Sequence, residues 1–399
     1  MALDKAKKRQ SGSFSWRVVR IVLLLQAFFL PLASREGDKM EGKPNVQHCT
    51  RQTVVFWNME NAFWPDDDPE KLDDDFTPEG MRHWTFSRLR QKLTLIERGL
   101  LAAGGGLPPM VVGLAEVEGD SVMNYWLKRT SLRRFNYSYI LSDSADSRGI
   151  RTALMYQAVD FRLLHSESFS IPLGDEHRST RQLLHACGRL ANSDTLDLVI
   201  CHLPSQYGGA KQSEEARKSA QRRLMQVADS IASCRVRANV ILMGDMNEAP
   251  SARRQWWGKG WDNLMLPLQR ELQRHPDRYG SHKYQGEWSF LDQFIVRTMN
   301  DETIKDEVIN DEGMKDEAIN DERMKDEAIN DEGMKDDRMR ESARLWVENA
   351  RSFSIPAMLT DDESHLGKRP LRSYYGSQYE GGVSDHLPIV LDLYEYMKW

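Results

Sequence analysis

Seven short apolar runs punctuate the chain, "TVVFWNM", "MVVGLAEV", "TALMYQ", "LDLVICHL", "NVILMGDMN", "SFLDQFIV" and "LPIVLDL", and each ends at or encloses a polar residue. Runs this short and this rich in Val, Ile, Leu and aromatics read as buried strands. Between them, 88 to 102, 121 to 132 and 212 to 233 carry apolar and charged residues at helical spacing. The hairpin-like stretch from 151 to 203 rules out an all-parallel sheet. The pattern therefore predicts an α/β (α+β) protein with two packed mixed β-sheets flanked by helices. With 40% hydrophobic residues and 11 Trp, the chain has the apolar material for that core and too much for a disordered segment. Its 399 residues suit one large two-sheet domain, expected over 50–299 and 341–399, with a tail and an insertion.

The tail is residues 1–34. Lys5, Lys7, Lys8 and Arg9 precede an apolar run from Ile21 to Leu32, which meets small residues at Ala33 and Ser34. That order is a signal peptide's, and the run, interrupted by Gln26 and Pro31, is short of the roughly 20 residues a bilayer span needs. The expectation is an exported protein, periplasmic or secreted, with no stable membrane span after cleavage. An uncleaved segment would leave it membrane-anchored. The insertion is residues 300–340, built on a ten-residue unit such as "NDEGMKDEAI". Ten helical residues turn through about 1000 degrees, so each repeat's Met and Ile rotate by about 80 degrees and form no straight apolar stripe. A solvated acidic insertion, helical in part or disordered, is the expectation.

Charge divides along the same lines. The formal net charge is −6, yet residues 1–34 hold six bases and one acid, and residues 300–340 hold sixteen acids and seven bases. The remainder is close to neutral, at −2. No strongly basic domain announces a high-affinity duplex binder. The four cysteines lack metal-ligand spacing, which argues against a structural zinc site. If 182–203 is a hairpin turning near Ser193 and Asp194, Cys187 and Cys201 fall opposite each other, a disulfide that export would permit.

Polar residues cluster at the ends of the apolar runs, the usual mouth of an α/β site: Asn58, Glu60, Glu116, His202, Asp245, Asn247, Asp292, Asp385 and His386. Singly, each has an ordinary structural reading: Asn58 and Asn247 as turn formers, Glu116 as a cap, His202 as a bonded core histidine. Together they offer hard oxygen donors suited to Mg2+ or Mn2+, with no cluster of thiols and imidazoles for catalytic zinc. "FWNMENAF", "GLAEVE", "CHLPSQYGG", "GDMNEAPS", "FLDQFIV" and "GGVSDHLPIVLDL" resemble, in the expected order, the six motifs of the endonuclease/exonuclease/phosphatase superfamily. The set spans roughly 52–395, and the likeness is greatest to exported bacterial members.

The resemblance implies the DNase I-like four-layer sandwich and a metal-dependent phosphoesterase. It implies Glu116 as metal ligand, with Asn58 and Asp385 alongside. Asp245, held with Asn247, would orient or deprotonate water; Asp292 would pair with His386; His202 would meet the phosphate or the leaving group. Two departures stand out. Pro204-Ser205-Gln206-Tyr207 follows His202 where related members usually show Arg, so Arg148, Arg151 or Arg217 are candidates to supply the phosphate-binding charge. Trp64 stands where the family pattern leads one to expect Asp. The expected activity is hydrolysis of phosphodiesters in nucleic acid by a monomer. A phosphatase or a lipid or small-molecule phosphodiesterase shares the scaffold, and a non-catalytic binder using the repeat is the reading of another class.

Overall fold

The computed structural model describes residues 49–143, 146–172, 180–206, 210–297 and 344–396. The expected signal segment and the acidic repeat both lie outside the described residues. Within the described residues no helix is long and apolar enough to cross a membrane.

One six-stranded sheet holds β1 (Cys49–Ala62), β2 (Val111–Val117), β3 (Tyr137–Leu141), β4 (Arg151–Gln157), β13 (Arg344–Ser352) and β18 (Ile389–Tyr396), in the order β13-β18-β1-β2-β4-β3. The other holds β5 (Arg162–Phe169), β6 (Leu183–Arg189), β7 (Thr195–His202), β8 (Val240–Asp245), β9 (Asp262–Asn263) and β12 (Asp292–Arg297), in the order β5-β6-β7-β8-β12-β9. Each sheet has one central parallel pair, β1 with β2 and β7 with β8, inside otherwise antiparallel neighbours. Three small hairpins complete the strands: β10 (His282–Tyr284) with β11 (Glu287–Ser289), β14 (Leu359–Asp361) with β15 (Lys368–Pro370), and β16 (Tyr374–Tyr375) with β17 (Gln378–Tyr379).

Side-chain alternation along the strands builds the layers. On β1, Val54 and Phe56 face the second sheet, where Leu198 and Ile200 of β7 and Ile241 and Met243 of β8 meet them in one apolar cluster. Val55 and Trp57 point the other way, onto α1 (Phe86–Ala103) and α2 (Asp120–Arg129). On the far side of the second sheet, Val199, Val240 and Leu242 pack against α3 (Ala210–Ser233). The result is helix, sheet, sheet, helix, as the DNase I-like sandwich requires. The short α4 (Leu266–Arg274) caps the inner cluster through Leu272. Helix α1 starts at Thr85, whose side chain accepts from the Arg88 amide, and buries Leu89, Leu93, Ile96 and Leu100 on one stripe. Each such side chain contributes about 1.5–3 kcal/mol by leaving water.

The expected Cys187–Cys201 bridge is absent: both cysteines are free thiols. The hairpin turns two residues earlier than expected, through 190–194, with Arg189 opposite Thr195. That register sets Cys187 against Asp197, and Cys201 lies four residues further along β7. A hairpin's register follows its turn, and the cysteines alone did not fix it.

Candidate active site

Alternation also delivers the polar residues. Asn58 follows Val54 and Phe56 on β1, His202 follows Leu198 and Ile200 on β7, and Asp245 follows Ile241 and Met243 on β8. Asp292 precedes Phe294 and Val296 on β12. All four therefore keep the parity of the inner face and emerge at one mouth between the sheets. Across three adjacent strands His202 pairs with Asp245 and Asp245 with Asp292 in direct register. Asn58 joins the sheets, its Nδ2 donating to Asp245 Oδ2 at 3.1 Å. Gly244 lets β8 sit against β7 here, since a Cβ would come within 2.2 Å of the Cys201 carbonyl oxygen.

Glu116 arrives differently. Leu114 and Val117 both face the helices, and the pairing with β4 shifts between them, so the strand carries a bulge. Glu116 occupies it at φ 61°, and β1 has its own irregularity with Glu60 at 48° and Asn61 at 56°. Left-handed backbone at non-glycine residues costs on the order of 1–3 kcal/mol each and concentrates at functional sites. Here it aims one carboxylate: Asn61 N donates to Glu116 Oε2 at 2.8 Å, while Oε1 lies 3.4 Å from Asn58 Nδ2 and 3.8 Å from His202 Nε2. Asn247, at φ 51°, donates its amide to Asp245 Oδ1 at 2.9 Å and its side chain to the Leu203 carbonyl.

The closing motif docks onto this frame. Ser384 donates its hydroxyl to the Asn58 carbonyl and accepts from the His386 amide, and the Trp57 indole donates to the His386 carbonyl. His386 Nδ1 is thereby held 2.7 Å from Asp292 Oδ2, with Nε2 3.8 Å from Asp245 Oδ2. Asp385 takes Arg372 Nη2 at 2.7 Å, and Arg372 Nε reaches Glu60 Oε1 at 3.0 Å. Buried Lys92 donates to Ser373 Oγ and the Val383 carbonyl, and feels the charges of Glu60, Asp385 and Glu116.

Burial sets most of the proton affinities. It pushes Asp245 up to about 7, with Asp292 adding to the rise. It lifts Glu60 to about 7, with Asp385 contributing, and lowers Lys92 to about 8. Burial also pulls His202 well below the ordinary histidine value, aided by the positive charges of Arg181 and Arg148. On His386 burial acts in the same direction, but Asp292 and Asp245 overcome it and hold the imidazole well above its ordinary value. Asp385 stays below the usual carboxylate range despite burial, because His386 and Arg372 face it. Their surroundings thus favour the neutral form of His202 and the charged form of His386.

Of the arginines expected at the phosphate, Arg148 acts on His202 and is steadied by Asp146 at 3.2 Å. Arg151 acts on Glu118, and Arg217 is buried on α3 against Ser213 and Glu248. Four residues at the site carried no role in the sequence reading. Arg181 bridges Asp146 and the Leu203 carbonyl, and the His282 ring lies 4.7 Å from that of His386, tilted by 43°. Arg372 and Lys92 are the others. Lys92 had a signal in the sequence: it interrupts the buried stripe of α1 between Leu89 and Ile96. Burial and the His386 charge push His282 down to about 4.

The family model described as Endonuclease/Exonuclease/phosphatase family matches residues 53–326, more than half of the chain. The chain belongs to that family, a class of phosphoesterase hydrolases whose members typically depend on divalent metals. Among solved structures it is similar to a humanized D. rerio TDP2 carrying 14 mutations, at 17% identity and TM-score 0.48, covering 86% of this chain and 98% of that one. The human Nocturnin catalytic domain is similar at 15% identity and TM-score 0.46, covering 86% and 93%. A Bacteroides thetaiotaomicron mannosyl-6-phosphatase follows at 12% and 0.44, covering 86% and 99%. No curated protein sequence matches the chain.

Proposed function

We propose that this chain hydrolyses phosphodiesters, with nucleic acid as substrate, by in-line attack of water at a site built for Mg2+ or Mn2+. One observation carries the reading: a single oxygen, Asp245 Oδ2, has Asn58 at 3.1 Å, His202 at 3.6 Å and His386 at 3.8 Å. A carboxylate lifted to about 7 in such company is a base poised near neutrality, where general-base catalysis is most effective. Asp292 keeps His386 oriented and protonated, so that Nε2 presents a cationic donor to a phosphate oxygen. Neutral His202 stands ready to meet the leaving oxygen. The Glu116 and Asp385 carboxylates and the Asn58 amide are hard donors that fit the metal, and the site offers no competing thiolate cluster. When bound, the ion neutralises phosphate oxygens and the charge developing on the leaving group.

Basic and aromatic side chains alternate on the segments beside the site, which supports a nucleic-acid strand. Arg82 lies 5.0 Å over Tyr374, Arg88 4.1 Å over Tyr379 and Arg369 4.7 Å over Tyr375. Of these rings Tyr375, at 51% exposure, offers a stacking face beside the Arg369 charge. The competing reading, a phosphatase or a lipid or small-molecule phosphodiesterase, is favoured by a cavity of about 180 Å³ lined by Glu60, Phe76, Arg82, Arg372 and Tyr374. Magnesium-dependent product release from single- and double-stranded DNA, RNA, a generic phosphodiester and phosphomonoesters separates them, with Asp245→Ala and His386→Ala as controls. Nucleic-acid cleavage lost in both variants is the expected result. Turnover of a small ester alone hands the site to the second reading, and no turnover at all favours a binding protein. Export remains part of the proposal and rests on the residues 1–34 pattern alone.

A further inference from the structure

Lys92 sits among Leu89, Leu93 and Ile96 on the buried stripe of α1 and is 1% exposed. Taking an ammonium group out of water is costly unless its donors are met, and a methionine would fill the same space without that cost. What the ammonium bonds to is therefore informative. It donates to Ser373 Oγ at 2.5 Å and to the Val383 carbonyl at 2.7 Å. These two acceptors flank the β16–β17 hairpin, whose legs are themselves bonded together: the Glu380 amide donates to the Ser373 carbonyl, that of Gly382 to Arg372 and that of Val383 to Leu371. Each acceptor is also the chain neighbour of a group at the mouth. Ser373 follows Arg372, whose guanidinium joins Glu60 Oε1 to Asp385 Oδ2, and its own amide goes to Glu60 Oε2 at 2.8 Å. Val383 precedes Ser384, which accepts the His386 amide and donates to the Asn58 carbonyl, with Asp385 between Ser384 and His386. From the sheet side the closing segment is tied through Asn58 and Glu60. From the helix side Arg88 reaches the Tyr374 hydroxyl and Gln91 the Gly381 carbonyl nearer the surface, and Lys92 supplies the buried bonds.

We propose that Lys92 is a positioning residue for the hydrolysis set out above, a reading on which this inference rests: from α1 it pins both legs of the closing segment, so that Asp385 is held where the metal needs it and Arg372 stays against Asp385. The ammonium touches no reacting atom. Its three donors on a four-carbon stem let one side chain bridge two acceptors ten residues apart in the chain, which an apolar residue of the same length cannot do. Without the pin, Asp385 keeps its attachments on the sheet side only, and a metal ligand loosened by a fraction of an ångström binds its ion less well.

The test compares wild type with Lys92→Met, both as the full chain, by amide hydrogen exchange and by magnesium titration of turnover on the ester panel. Exchange across 371–386 should quicken by about tenfold or more in the variant, while α1 and both sheets exchange as in wild type. The magnesium requirement should rise by about 10–100-fold, with turnover at saturating magnesium falling much less. Unchanged exchange across 371–386 overturns the pin. Faster exchange with an unchanged magnesium requirement makes Lys92 a structural residue and overturns its positioning role. With an active wild type, either result sinks this inference alone; a wild type inert towards every ester brings down the hydrolase reading and this inference together. If Lys92→Met fails to fold, Ser373→Ala removes one of the two acceptors and should show the same two changes in smaller size, and the absence of either change there overturns the proposal.

Discussion

The two parallel strand pairs at the heart of the molecule reach the same mouth by different means. β7 and β8 run in unbroken register to their last residues, and plain alternation turns His202 and Asp245 inward. β1 and β2 lose register before they end, and three non-glycine residues, Glu60, Asn61 and Glu116, sit in left-handed backbone there. The regular pair carries the proposed proton-handling groups on ordinary extended backbone, and the left-handed residue that serves them, Asn247 at φ 51°, lies beyond its end. The bulged pair stores strain to aim Glu116, the proposed metal ligand, against the direction its strand would give it. Division of this kind has a physical logic: a metal draws its ligands into place and repays distortion on binding, whereas a base has to be held by the fold itself.

The largest expected effect tests the regular pair. Asp245→Asn should lower hydrolysis by about 10³-fold or more, with little change in folding, because a preorganised base is lost while its shape stays. The proposed mechanism requires Asp245 ionised and His386 protonated. The rate should therefore rise with pH through about 7 and fall again at higher pH, as His386 loses a proton that Asp292 and Asp245 hold well above the ordinary value. A pH–rate profile of Asp245→Asn that keeps the acidic limb sinks this assignment.

Next in size are paired changes at Glu116. Glu116→Gln and Glu116→Gly should each cost about 10²–10³-fold in turnover by removing a charged ligand. Their stabilities should differ: glycine relieves the φ of 61°, so Glu116→Gly should be the more stable of the two by about 1 kcal/mol in urea denaturation. On the regular strand the sign reverses, and Asp245→Gly should be less stable than Asp245→Asn, since glycine loosens an ordinary extended residue. The same sign at both positions would erase the contrast between the pairs.

What the sequence disclosed follows the same divide. Asn58, His202, Asp245 and Asp292 were legible because an apolar run that alternates and then ends in a polar residue specifies both face and position. Glu116 and His386 were legible from the same run ends and the motif order added their roles, although nothing local predicted that Glu116 needs a bulge to face inward. Arg372 and Arg181 were not legible in role, because each acquires its partners only when distant segments close over the mouth: Arg372 joins Glu60 to Asp385, and Arg181 ties Asp146 to Leu203. The cysteine pairing failed for a related reason, as a turn displaced by two residues moves each residue's cross-strand partner by four.

A smaller effect probes how tightly the regular pair is built. Gly244→Ala would set a methyl 2.2 Å from a backbone oxygen of Cys201, which cannot yield, and should cost about 1–3 kcal/mol. Gly113→Ala meets the Met243 sulfur at 2.9 Å, the body of a flexible side chain, and should cost less. Equal losses in urea denaturation would mean that the inner layer is uniformly rigid rather than rigid where the base is held.

The smallest effect lies at Asn61, and it sharpens the claim that strain rather than side-chain chemistry is what the bulge contributes. Asn61 serves Glu116 through its backbone amide, at 2.8 Å, and holds φ at 56°. Asn61→Gly keeps the amide and accepts that backbone freely, so turnover should stay within about threefold and stability within about 0.5 kcal/mol of wild type. Asn61→Val keeps the amide too, but a β-branched residue resists positive φ, so it should cost about 1–2 kcal/mol and weaken metal binding by letting Glu116 drift. Magnesium titration of turnover separates the two: a raised magnesium requirement in Asn61→Val with an unchanged one in Asn61→Gly ties ligand placement to backbone conformation. A raised requirement in both would transfer the role to the Asn61 side chain, and the strained strand end would then be a by-product of the fold.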